Sequence, residues 1–142
     1  MRWHPVSKMI RGASRPPYLL QRQDRENVEE NLRGRSFQVE PVEAGELRSE
    51  RDASLAVARA LDYPDSVGGS WDGFFDLLVT EFQSRPRLLA VSMLGADALA
   101  RRDLRLFVAV SWQLLSATET VEFHGEGNWQ LEFIYWGDWG SC

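Results

Sequence analysis

Asp72 and Asp76 stand four residues apart in the segment YPDSVGGSWDGFFDLLVT, residues 63–80, with Phe75 between them. Four residues is about one helical turn, so on a helix both carboxylates lie on one face. Like charges at that spacing cost a few tenths of a kcal/mol. A carboxylate pair with an aromatic beside it suits capture of an Arg, Lys or His cluster on another molecule. A plainer reading is a solvated helix face, on which Asp72 near the N-terminus favours the helix dipole. A third reading, two carboxylates for acid–base chemistry, lacks a partner nucleophile or phosphate loop, and a single helix face is convex. The pair therefore points to a binding protein and not to an enzyme.

Other chemistry-bearing residues are sparse. His4 and His124 are isolated and have no second ligand at useful spacing, so no metal site is expected. The single cysteine, Cys142, excludes an intrachain disulfide and a cysteine metal site. The stretch GEGN at 125–128 is turn chemistry, because no helix follows it as a nucleotide fingerprint requires. No cofactor is implied. Trp136 and Trp139 flank Asp138 near the end, where they either close the core or form a sticky patch.

The elements that must position the aspartates follow from periodicity. Residues 36–43, SFQVEPVE, alternate as a strand with Pro41 at its end or edge. Ser49 caps a helix whose apolar stripe is Leu55, Ala58 and Leu61, with Glu50 and Asp52 in its first turn. A loop with Pro64 and Gly68-Gly69 leads to Ser70, the cap of a second helix over about 70–83. Phe74, Leu77, Leu78 and Phe82 form its buried side, and Trp71, Phe75 and Val79 its boundary. Gly73 inside it costs about 1 kcal/mol against Ala and marks close approach of another backbone. The apolar run 87–94 suits a strand buried on both faces. A short helical turn and a longer helix, LRLFVAVSWQLLSAT, come next. Alternation on both sides of 125–128 predicts a terminal hairpin, with strands at about 119–124 and 129–136.

This order predicts an α/β fold: a three-stranded parallel sheet packed with helices, plus a C-terminal hairpin strand. Residues 1–34 are expected as an irregular arm and 35–142 as the domain, because Pro16-Pro17 and scattered charge oppose an early helix. Of the formal charge of −5, residues 1–35 carry eight basic and four acidic groups (+4), and residues 36–142 carry eight and seventeen (−9). That acidic surface disfavours nucleic acid as a direct partner and favours a basic protein. No apolar run approaches the length of a membrane span, and no secretory signal is visible, so a cytoplasmic location is expected.

The pattern Pro64-Asp65-x-x-Gly68-x-Ser70-Trp71-Asp72-x-Phe74-Phe75-Asp76-x-Leu78 resembles the barstar family of intracellular ribonuclease inhibitors. The stretch 95–115, GADALARRDLRLFVAVSWQLL, is similar to that family's third and fourth helices, and the resemblance spans about residues 36–137. It implies a barstar-like fold and an immunity protein that plugs a ribonuclease or related nuclease toxin. Asp76 would then enter the enzyme's active site, with Asp72 flanking it and Phe75 and Trp71 packing beside it. Backbone at Val67 and Gly68 would lie against the partner. The sequence departs from the family at Ser66 and Val67, where tyrosines are common, and at Gly69, where a glutamate is found. The last helix offers no acid before Glu119. An alternative is an interaction or regulatory module on the same fold with no nuclease target. Partner identity and oligomeric state are not set by the sequence.

Overall fold

The computed structural model describes residues 16–81, 87–124 and 129–140, with only the backbone of residue 124. The chain order is β1 (Tyr18–Gln21), α1 (Arg25–Gly34), β2 (Gln38–Glu43), α2 (Glu50–Ala60), α3 (Trp71–Glu81), β3 (Arg87–Leu94), α4 (Ala96–Arg102), α5 (Leu104–His124) and β4 (Trp129–Gly137). Among the described residues, these strands form one sheet in the order β1-β4-β3-β2. Every pairing is parallel, with Tyr18 opposite Ile134, Leu89 opposite Leu131 and Val39 opposite Ala90.

Strand alternation sends side chains to two cores. On one face Leu89, Val91, Met93, Leu131, Phe133 and Tyr135 pack against α2, α3, α4 and α5. On the other, Ala90, Ile134 and Trp136 pack with Tyr18, Leu20 and the α1 residues Val28 and Leu32. This two-sided burial is why 87–94 reads as an unbroken apolar run. Pro41 is tolerated because β2 is an edge strand.

The α/β class and the parallel, helix-packed sheet agree with expectation, while three details differ. First, residues 16–34 are not irregular. Tyr18–Gln21 is a fourth parallel strand, and Arg25–Gly34 is a helix laid over the second core. A buried network fastens α1 there. Ser92 Oγ donates to Glu29 Oε2 at 2.5 Å, Trp136 Nε1 donates to Ser92 Oγ at 3.0 Å, and Arg25 Nε donates to Glu29 Oε2 at 2.9 Å. Residues 1–15 of the expected arm lie outside the described residues.

Second, 119–124 is not a strand but the end of α5. Leu114, Ala117, Thr118 and Val121 are buried at helical spacing, and Phe123, which the alternation would bury, is exposed. Third, β4 has parallel neighbours on both sides, so it is not the return strand of a hairpin. The turn expected at 125–128 lies outside the described residues, as do Phe82, Pro86, His4, Cys142 and the His124 side chain. Trp136 is buried and Trp139 half-buried against the main core, the core-closing arrangement.

Candidate partner-binding site

The site is built on the α2–loop–α3 unit. Ser49 caps α2 by accepting from Asp52 N at 3.1 Å, while Asp52 Oδ2 accepts from Arg48 N at 3.0 Å. After α2 the chain turns at Asp62, which adopts the left-handed region at φ 65°. Pro64 then starts a tight 3-10 turn, Asp65–Val67. Arg59 holds Asp65 bidentately, at 3.0 Å and 3.1 Å. The guanidinium beside Asp65 lowers that carboxyl from its ordinary range. Both groups are solvent-exposed, so the pair orients the loop more than it stabilises it.

The loop's inner side is fixed by closer contacts. Ser54 Oγ, buried in α2, donates to the Gly68 carbonyl at 2.6 Å. A Cβ on Gly68 would lie 2.8 Å from Leu55 Cδ1, so only glycine lets the loop sit this close to α2. A Cβ on Gly73 would lie 2.9 Å from the Val67 carbonyl oxygen, so the approaching backbone expected at Gly73 belongs to this chain. Ser70 caps α3 as expected, its Oγ accepting from Gly73 N at 3.2 Å.

The inner face of α3 is an aromatic cluster. Phe74 is fully buried and stacks edge-on against Trp71 at 5.8 Å and Phe75 at 5.4 Å, with Tyr63 behind it at 5.9 Å. Leu78 is buried with it, and Leu77 is half-buried. This anchoring sets the opposite face outward. Asp72 and Asp76 are both exposed. Among the described residues, neither carboxylate has a hydrogen bond or ion-pair partner. Trp71, Phe75 and Val67 are half-buried at the rim, and Gly68 is buried against α2. The fold thus brings the six sequence-selected residues into one loop–helix segment. It gives them different environments: two free carboxylates, three rim side chains and one glycine under the loop.

The Ser54–Gly68 bond and the Arg59–Asp65 pair escaped the sequence reading. Ser54 left a signal, a small polar residue between Ala53 and Val57, both buried in α2. Of the expected stripe, Ala58 and Leu61 are buried, while Leu55 is only half-buried. Arg59–Asp65 spans a helix end and a loop and has no spacing rule. Among the described residues no cluster of groups could hold a metal ion, and no helix is long and apolar enough to cross a membrane.

The fold so described is a parallel α/β sheet carrying a capped, acid-bearing helix after a glycine loop. The family model for Barstar (barnase inhibitor) matches residues 37–129, from the start of β2 to the start of β4, and the chain belongs to that family. Neither the curated proteins nor the solved structures contain a match to it. The matched region contains α2, the loop and α3 whole.

Proposed function

We propose that this protein inhibits a ribonuclease or related nuclease toxin by seating the loop and the outer face of α3 in its active site. Asp76 and Asp72 take the place of substrate phosphates against the enzyme's cationic groups, with Asp76 entering deepest. Phe75 and Trp71 pack at the rim, and backbone at Val67 lies along the partner, while Gly68, expected there too, is buried against α2 and holds the loop in place. The observation that carries this reading is the exposure of both carboxylates, without a partner among the described residues, on a helix whose other face is locked by Phe74 and Leu78. Such preorganisation lowers the ordering cost of binding. Two unpaired charges desolvate profitably only against opposite charge. Family membership supports the same reading, and the −9 of residues 36–142 would speed encounter with a basic enzyme.

Immobilised protein should capture a basic nuclease from extracts of the source cells or their medium, and soluble protein should abolish that enzyme's activity stoichiometrically. Capture with undiminished nuclease activity, or recovery only of a complex without a nuclease, would assign the fold to a regulatory module instead.

A further inference from the structure

Helix α5 is apolar on two sides. Its inner side is ordinary core, with Leu106, Val110, Leu114, Ala117 and Val121 buried at helical spacing. On its outer side Leu104, Val108 and Trp112 follow one another at four-residue spacing, so they form one ridge. These three side chains stand 62%, 57% and 70% exposed. Beside the ridge an apolar groove of about 220 Å³ opens toward β1, walled by Pro17, Leu19, Phe107 and Leu115. A helix that is apolar all round is ordinarily buried all round.

The charges along the same face say what covers it. Arg105, Trp112 and Glu119 stand at seven-residue intervals and are all exposed, so they lie close to one line along α5. Among the described residues, neither Arg105 nor Glu119 has an ion-pair or hydrogen-bond partner. Each lies about 10 Å along the axis from Trp112, in opposite directions. We infer that the occupant is a second copy of this chain, related to the first by a twofold axis at Trp112, with the two α5 helices antiparallel. That one operation brings Arg105 of each copy to Glu119 of the other, so both ends of the line are paired. It also presents each Trp112 to the groove of the opposite copy. An apolar cavity of roughly 150 Å³ accepts a benzene ring, so the groove has room for an aromatic side chain. A parallel pair of helices would instead set Arg105 against Arg105 and Glu119 against Glu119. The surface uses no residue of the loop–α3 segment, so the inference stands apart from the nuclease reading.

Sedimentation equilibrium of the full chain tests it. The protein should form a dimer that dissociates on dilution. Trp112→Ser, at an exposed position, should leave the thermal midpoint in place and weaken association at least about tenfold. Arg105→Glu and Glu119→Arg, each alone, set like charges opposite one another and should also weaken it at least about tenfold. An equimolar mixture of these two variants should recover the association, because each supplies the charge that the other lacks. Asp76→Ala should leave the dimer unchanged. A monomer at millimolar chain, a dimer indifferent to Trp112→Ser, or a mixture that associates no more tightly than its components would overturn the inference.

Discussion

The hydroxyl of Ser54 donates a 2.6 Å hydrogen bond to the carbonyl of Gly68, pinning the loop that carries α3 onto the buried side of α2. The outward aspartates therefore rest on a rigid support, and damage to that support should reach them.

Ser54→Ala should cost about 1–2 kcal/mol in urea unfolding, since it leaves the Gly68 carbonyl without this partner in a buried place. Gly68→Ala should cost about 1–3 kcal/mol, because its Cβ has no room beside Leu55 and Ala58. Both should also weaken nuclease inhibition while Asp72 and Asp76 remain in place. Unchanged stability in Gly68→Ala would show the loop less tightly seated than its contacts require.

Gly73→Ala should behave against helix propensity. Ala in a helix ordinarily gains about 1 kcal/mol over Gly. Here its Cβ meets the Val67 carbonyl oxygen at 2.9 Å, backbone that cannot swing away. The variant should therefore lose about 1 kcal/mol. Gly34→Ala, at the end of α1 with nothing within 4 Å, should be neutral or gain up to about 1 kcal/mol. Comparison of the two by thermal unfolding checks the close approach.

Much of this support was legible in the sequence, because capping and periodicity are local. Ser49, Ser70, Phe74 and Leu78 play the parts their spacing predicts. What was not legible depended on competition between patterns or on tertiary pairing. Around Val121 a period of two and a period of 3.6 both fit, and burial of Leu114, Ala117 and Thr118 upstream decides for the helix. β1 is four residues long, and its Tyr18/Leu20 alternation is too brief to outweigh two preceding prolines. Its strand character comes from the open edge of β4. For α1 the decisive contact is Glu29 with Ser92, 63 residues away. In the candidate site the aspartates were visible from spacing, but their lack of a partner among the described residues could be read only from the fold.

Ser92→Ala should test the attachment of α1. It removes the acceptor of Trp136 Nε1 and a donor to buried Glu29. A loss of about 2–3 kcal/mol in unfolding free energy is expected. Hydrogen exchange should show α1 loosened first, with α3 little changed. A loss confined to a few tenths of a kcal/mol would mean the network contributes little.

Glu132 should make stability fall as pH rises. The ordinary glutamate value of 4.5 applies to the unfolded chain, and the folded value is about 8. Between these the folded state holds a proton that the unfolded state has released, so the slope of stability against pH is negative in that window. Its contribution is fully present below pH 4.5 and lost as pH passes 8. Glu132→Gln should therefore flatten the profile and be more stable than wild type at pH 8, by on the order of 3 kcal/mol. Parallel profiles for the two proteins from urea unfolding would contradict the burial of an acid that has no partner among the described residues.

The central claim is that the exposed carboxylates of α3 bind a cationic active site. It is tested most directly by the equilibrium affinity of wild type and Asp76→Ala for the captured basic nuclease, with both thermal midpoints recorded. Because the Asp76 carboxylate has no partner within its own chain among the described residues, the midpoints should coincide. The affinity should nonetheless fall by about 100-fold or more, as for a desolvated charged anchor at an interface centre. Equal affinities for the two proteins would contradict the account.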